Sequence, residues 1–332
     1  MKTHFVRELE PNQVVTSFFL VHNKQLRQNR AGRQYLRLTL GDRTGVLDAH
    51  MEIVPDEADL IERHDFVEVK GLVHVYRNRP QLIVHKLRRL PQAQVDFADY
   101  FPHTDKDAEE LWSRLRAAVT EMGNPHLRAL LAAFLDDPEV AQRLRRAPAA
   151  KSLHHATIGG LLEHIVSLVG LCRLCADHYS FLDRDLLVAG AVLHDIGKIH
   201  ELQYERPPFS YTTAGQLLGH MAILLDLLRT KAAALPGFPP RLKTLVEHMV
   251  LSHHGQLEFG SPKLPMFAEA VVLHHLDNLD SKVESLRATL AADSAIEGEW
   301  TGFNAALDRP LLKKDKYLAG PEPAAREDRQ DQ

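Results

Sequence analysis

His194 and Asp195 stand side by side at the end of an apolar run, Leu186-Leu-Val-Ala-Gly-Ala-Val-Leu193, and are followed by Ile196-Gly-Lys198. A neutral imidazole nitrogen and a carboxylate oxygen are ligands for a divalent transition metal. Lys198 adds a cation suited to an anionic group such as a phosphate. One His-Asp pair arises easily by chance, but this one lies in a series. The series runs His154-His155, His164, His194-Asp195, His220, His253-His254 and His274-His275-x-Asp277, each in or at the end of a helix-like segment. Two ions close together need several imidazoles and a carboxylate able to bridge both. A single His on an apolar face is more often a core residue. The ordered series, set beside Leu, Val and Ala runs with Gly at their stops, favours a metal centre.

Helices packed as a bundle can aim such ligands inward from separate segments. Amphipathic patterns over Ala108–Met122 and His126–Leu135, separated by Gly123-Asn-Pro125, begin a helical region, and Asp137-Pro138 starts a third helix. His164 follows Gly159-Gly-Leu-Leu-Glu163 on a buried-facing helix, and His253-His254 close a helix that stops at Gly255. Asp277 and Asp280 are three apart, on roughly one helix face.

Ahead of the helices the pattern is extended. Val14–Val21, Tyr35–Leu40, Val46–His50, Phe66–Tyr76 and Gln81–Leu87 read as five strands, with turns at Gly41–Gly45 and Arg77-Asn-Arg-Pro80. The piece around residues 55–62 is more helical or irregular. Five short strands with one insertion suggest a small closed barrel, and Gly71 inside a strand suggests a bulge or corner. The expected organisation is multidomain: an all-β barrel over 1–92, a linker over 93–105, an all-α bundle over 106–318 and a tail over 319–332 without large apolar residues.

At 332 residues, with 45% hydrophobic and 25% charged residues, the chain is long enough for two domains and ordinary for a globular protein. The N-terminus has no apolar signal-peptide core, and no run approaches the ~20 apolar residues that span a membrane. Cys172 and Cys175 have C-x-x-C spacing in an apolar helical stretch with no second pair to complete a zinc site, so buried thiols and a reducing cytoplasm are expected. The net charge of −4 hides an asymmetry, because residues 1–92 carry 15 Lys/Arg against 11 Asp/Glu. A basic first domain fits an anionic partner and equally fits a solvated surface.

The first domain resembles an OB-fold of the nucleic-acid-binding kind through Tyr35-Leu-x-Leu-x-Leu-x-Asp42-Arg-Thr-Gly45, Val69-Lys-Gly-Leu-Val-x-Val-Tyr76 and Pro80-Gln-Leu-x-Val84. Such a barrel holds a strand by a basic groove and by aromatic rings on which bases stack, each worth roughly 1–3 kcal/mol. Candidates are Tyr35, Tyr76 and Phe18 for stacking, with Arg33, Arg37, Lys70, Arg77, Arg79 and Lys86 for phosphates. A barrel-core role for any one aromatic, and a solvated turn for Arg77 and Arg79, stay open.

Residues 150–310 resemble the HD-domain metal-dependent phosphohydrolases through Ala189-Gly-Ala-Val-Leu-His-Asp-Ile-Gly-Lys198, Gly160-Leu-Leu-Glu-His164 and Leu251-Ser-His-His-Gly255. The resemblance implies His164, His194, Asp195 and Asp277 as ligands of a first metal. It implies Asp195 as the bridge to a second, completed by His220 and His253, with His254 an alternate or a supporting group. Lys198 would face the scissile phosphate. After Lys198 the chain reads Ile199-His-Glu-Leu-Gln-Tyr204, which departs from the Gly-Tyr-Pro extension of the cyclic-di-GMP subfamily.

OB domain and HD domain together resemble the YhaM-type 3′→5′ exoribonucleases over nearly the whole chain. Thr213-Ala-Gly-Gln-Leu-Leu-Gly-His220 and Leu276-Asp-Asn-Leu-Asp-Ser-Lys282 add to the match. The resemblance implies a hydrolase that trims single-stranded RNA, with single-stranded DNA an open second substrate. The implied cofactor is two divalent ions, Mn2+ first, with Mg2+, Fe2+, Co2+ or Ni2+ as alternatives. Water activated between the ions would attack phosphorus in line, with Asp195 and Lys198 as the catalytic residues. A homo-oligomer is compatible with the sequence, which shows no clean interface signal. Two other readings are a phosphohydrolase of nucleotides or small phosphoesters, and a non-catalytic nucleic-acid-binding protein with a structural metal.

Overall fold

The computed structural model describes residues 2–28, 32–55, 58, 60–76, 79–91, 94–100, 104, 106–150, 157–205, 209–294, 298–304 and 307–320. His154, His155 and Arg77 therefore lie outside the described residues, as do the side chains of Tyr76 and Arg79. The chain divides into two compact units, Met1–Ser281 and Lys282–Gln332.

Five strands form the expected barrel: β1 (Val14–Gln28), β2 (Gln34–Asp42), β3 (Gly45–Met51), β4 (Phe66–Tyr76) and β5 (Arg79–Leu90). They close in the order β1-β2-β3-β5-β4, antiparallel except for the parallel β3–β5 pair. The period-two pattern of β2 places Leu36, Leu38 and Leu40 in the barrel core with Val15, Phe19 and Val69. Fully burying each such side chain contributes about 1.5–3 kcal/mol. The expected irregularity at Gly71 is present as a register shift between Lys70 and Gly71. A Cβ at Gly71 would meet the Ile83 carbonyl oxygen at 2.4 Å, so only glycine fits there.

Two strand boundaries differ from the sequence reading. β1 runs on past Val21 to Gln28, because a bulge between Val21 and Asn23 lets its polar second half pair with β2 without supplying core side chains. The turn at 77–80 is shorter than expected, since Arg79 and Pro80 already pair with Tyr76 and Val75. Beyond the barrel, Tyr100 is buried and packs edge-on against Phe66 with centroids 4.7 Å apart.

The helical region begins with α1 (Ala108–Thr120), α2 (Pro125–Leu135) and α3 (Pro138–Leu144). Asp107, Asn124 and Asp137 cap them by accepting backbone N–H bonds, and Pro at the first position of α2 and α3 fits the helix start. α4 (Gly160–His178), α5 (Arg184–Leu193), α6 (Lys198–Glu201), α7 (Thr213–Ala233), α8 (Pro240–Ser252) and α9 (Ala268–Ala292) follow, with the short pair β6 (Leu202–Gln203) and β7 (Ser210–Tyr211) after α6. Every residue of α5 from Leu186 to Leu193 is buried, which explains why that run is apolar on all sides. α5 lies at the centre of the helical core and delivers the His-Asp pair from its C-terminus.

In the second unit the Asn304 amide donates to Thr289 Oγ1 at 2.6 Å and to Ser285 Oγ at 3.2 Å. The unit's last helix among the described residues is α10 (Lys314–Ala319), and most of the 319–332 tail lies outside them.

Candidate metal centre

Six helices bring the predicted residues to one buried place. His164 sits in the first turns of α4, and His194 caps the C-terminus of α5 with Asp195 after it. Lys198 opens α6. His220 follows a break in α7 at Gly219, whose φ is 73°. His253 caps α8, and Asp277 comes from the middle of α9. The turn before α6 can approach α7 because position 197 is glycine. A Cβ there would meet the His220 carbonyl oxygen at 2.1 Å.

Asp195 stands between two groups of ligand-type atoms. Its Oδ2 is 3.3 Å from His194 Nε2 and 4.0 Å from His164 Nε2. His164 Nε2 is also 3.2 Å from Asp277 Oδ1 and 3.2 Å from His194 Nε2. On the other side, Asp195 Oδ1 is 3.3 Å from His220 Nε2 and 3.6 Å from His253 Nε2. Within each of two trios, His164–His194–Asp277 and His220–His253–His254, the ligand atoms lie within 4.8 Å of one another.

The outer ring nitrogens fix these orientations. His194 Nδ1 donates to the Ala191 carbonyl at 2.9 Å, and His253 Nδ1 donates to the Val250 carbonyl at 2.7 Å. In both cases a histidine at a helix C-terminus uses a carbonyl left without an intrahelical donor. His254 Nδ1 donates to the Phe259 carbonyl at 2.8 Å. His164 Nδ1 meets Asp280 Oδ2 at 2.7 Å, and His220 Nδ1 meets Glu201 Oε1 at 3.2 Å. With Nδ1 spent outward in all five, each Nε2 is the ring nitrogen left facing the centre, the orientation metal-ligating histidines adopt.

The residues fit divalent ions on a second observation. Asp195 Oδ1 is buried and has no hydrogen-bond partner among the described residues. A buried charged oxygen without a donor is costly unless a cation meets it. Asp195, Asp280 and Glu201 are buried around the centre, with Asp277 beside them and Lys198 a nearby cation. Lys198 Nζ donates to Asp195 Oδ2 at 2.6 Å, so it contacts the carboxylate between the two clusters as well as lining the cleft.

Protonation follows from these contacts. Burial alone would raise Asp195, but the charges of Lys198 and His194 hold it well below the usual carboxylate range. Burial would lower His164, yet hydrogen bonds to Asp277 and Asp280 outweigh it and push it up to about 10. Burial and the neighbouring His253 lower His254 to about 4, so its ring is neutral at pH 7. Burial likewise lowers His253.

All seven predicted metal-site residues are thus in or beside one centre. Sequence reading gave no role to Asp280, Glu201 or Ser167, whose hydroxyl donates to Asp280 Oδ1 at 2.5 Å. Asp280 had a signal in its spacing from Asp277, while Glu201 is remote from His220 and had none. His274 also lines the cleft, with its Nδ1 donating to the His253 carbonyl at 2.9 Å. Cys172 and Cys175 are free thiols on α4, Cys172 buried and Cys175 half-buried.

The barrel candidates are spread over several strands. Lys70 lies opposite Lys86 on β4 and β5, and both line a groove with Thr16, Ile53, His85 and Arg88. Tyr35 and Arg37 sit on β2 outside that groove. The Tyr35 ring meets His50 edge-on, and Arg37 pairs with Asp48 at 2.9 Å. Phe18 is half-buried against the cluster of Leu20, Phe66, Leu90 and Tyr100.

The HD domain family model matches residues 161–282, and that of an OB-fold nucleic acid binding domain matches residues 20–90. Fold and site define an HD-domain hydrolase preceded by an OB-fold nucleic-acid-binding domain. The chain is 35% identical to the 3′-5′ exoribonuclease YhaM of Geobacillus sp. (strain WCH70), over 85% of this chain and 86% of that protein. It is 34% identical to the YhaM of Bacillus velezensis over 93% of this chain and 97% of that protein. For the YhaM of Bacillus subtilis (strain 168) the identity is 33%, with the same coverage of 93% and 97%. The chain belongs to the YhaM 3′-5′ exoribonuclease family.

Proposed function

We propose that the chain removes nucleotides from the 3′ end of single-stranded RNA by metal-dependent hydrolysis of phosphodiester bonds. The observation that carries this reading is the pair of ligand clusters on the two oxygens of Asp195. His164, His194, Asp195 and Asp277 would hold one ion. Asp195, His220 and His253 would hold another, with His254 beside them. Two such ions, Mn2+ first among the candidates, would supply an activated water at neutral pH and positive charge at the phosphate.

The chain's own residues do the rest. Asp195 stays ionised and ties both clusters to one rigid turn. Asp280 and Glu201 fix the rings of His164 and His220. Lys198 reaches the cleft from beside Asp195, where its ammonium can follow negative charge onto a phosphate oxygen in the transition state. Lys70, Lys86, Tyr35, Arg37, Tyr76, Arg77 and Arg79 are the proposed barrel contacts to the strand, and of these Lys70 and Lys86 share a groove. Single-stranded DNA is a second substrate to test, and self-assembly is open to the same preparation. The free thiols support a cytoplasmic setting, and among the described residues no helix is long and apolar enough to cross a membrane.

The test is a labelled oligoribonucleotide with metal analysis of the purified protein. A 5′ label is expected to give a ladder of shortened products, and a 3′ label to leave as mononucleotide at once. Intact RNA together with phosphate release from nucleotides would replace this reading with a small-phosphoester hydrolase. Asp195→Ala is expected to abolish the ladder, and an unchanged ladder in that variant excludes the proposed centre.

A further inference from the structure

The segment between α8 and α9 exposes four apolar side chains: Leu257 at 63%, Phe259 at 60%, Leu264 at 51% and Met266 at 80%. The segment is nevertheless well anchored. Leu257–Phe259 form a short 3-10 helix. The Ser261 hydroxyl donates to the Lys263 carbonyl at 2.6 Å, with the Leu251 carbonyl also within reach at 3.0 Å, and Met266 N donates to His248 Nε2 at 3.0 Å. An anchored loop that holds large apolar groups in water invites a reason beyond packing.

Phe259 differs from the other three because it lines the metal cleft, together with His164, Asp195, Lys198, His253 and Asp277. Its carbonyl accepts the His254 Nδ1 proton at 2.8 Å, which ties its backbone to the centre. The same cleft is lined by His274, Asn278 and Ser281, a polar row along α9. An exposed aromatic face beside a polar row and a phosphate-hydrolysing centre has the chemistry of a nucleotide subsite. The ring suits a base, the polar row suits a ribose, and the centre takes the phosphate.

We propose that Phe259 is the platform on which the base of the 3′-terminal nucleotide stacks while its phosphodiester is cut. This rests on the exonuclease reading and adds a positioning residue to it. Stacking on an aromatic ring accepts every base, because each has a π-face, so the platform would hold the end of the strand without selecting its sequence.

The test compares wild type, Phe259→Ala and Phe259→Trp on two single-stranded RNAs, one with an ordinary 3′ nucleotide and one with an abasic 3′ residue. Phe259→Ala is expected to raise KM for the ordinary end roughly 5- to 100-fold, the effect of losing one stacked base, and by more than it lowers kcat. Trp is expected to restore most of the loss, and metal content is expected to match wild type in both variants. On the abasic end the Ala and wild-type proteins should differ little. A KM within twofold of wild type on the ordinary end overturns the platform, as does an equal penalty on both ends or a loss that Trp leaves unrepaired. A wild-type protein that shortens neither RNA defeats the exonuclease reading itself, before any variant is compared.

Discussion

Asp280 Oδ2 lies 2.7 Å from His164 Nδ1, across 116 residues of chain, and fixes the ring so that Nε2 faces Asp277 and Asp195. Outer carboxylates of this kind typically govern metal affinity by about 10–100-fold. Asp280→Asn is therefore expected to weaken metal binding by that order while leaving more of the turnover at saturating metal. Chelator competition against Mn2+, followed by activity at high Mn2+, measures both. Unchanged metal affinity would remove Asp280 from the centre.

Glu201 plays the corresponding part for the other cluster. Its Oε1 accepts from the His220 backbone N at 3.0 Å and from Nδ1 at 3.2 Å, just after the break in α7. Glu201→Ala is expected to lower bound metal from about two ions toward one, a loss confined to the His220 side. Asp280→Ala should do the same on the His164 side. Metal content by elemental analysis, for each variant and the pair together, tests this. Complete loss of both ions from either single variant contradicts two clusters that fill separately.

Much of this centre is legible in the sequence because its ligands are local to helix ends. His194-Asp195 follows an apolar run that is a fully buried helix, and His253-His254 precede Gly255, where the backbone turns at φ 75°. The pairings of Asp280 with His164 and of Glu201 with His220 are not legible, since they depend on how α9 and α6 pack and no short spacing encodes that. The barrel shows the same division. The alternation of Leu36, Leu38 and Leu40 announces β2, whereas the second half of β1 is polar and becomes a strand through pairing with β2. Phe259 reads as one more apolar residue until its exposure in the cleft is seen.

Lys198 shares an oxygen with the proposed first cluster, because its Nζ is 2.6 Å from Asp195 Oδ2. An ion bound there competes with the ammonium for that oxygen. Lys198→Met is expected to leave metal affinity equal to wild type or up to about tenfold tighter, since one competing charge is gone. Turnover on RNA is expected to fall by about 10²–10³, the usual cost of removing one group that meets transition-state charge. Metal affinity and kcat measured on the same variant separate the two effects. If metal and activity are lost in proportion, Lys198 only supports the carboxylate.

His164 gives the centre a pH dependence with a definite sign. Its pKa is pushed up to about 10 by Asp277 and Asp280 against the cost of burial. A group raised on folding contributes stability that is complete below its unfolded value, ~6.5, and disappears as pH rises toward its folded value. The chelator-treated protein should therefore lose thermal stability between about pH 6.5 and 10, and Asp280→Asn should flatten that slope. His253 and His254, both lowered, act below pH 6.5, and Asp195, depressed, acts near and below pH 4, so the window above 6.5 is theirs in neither case. A metal ion on Nε2 must displace the His164 proton, so metal uptake at pH 7.5 should release protons and weaken as pH falls. Calorimetric titration of Mn2+ in two buffers of different ionisation enthalpy reads that release directly. Identical heats in the two buffers would show that His164 enters the centre already neutral.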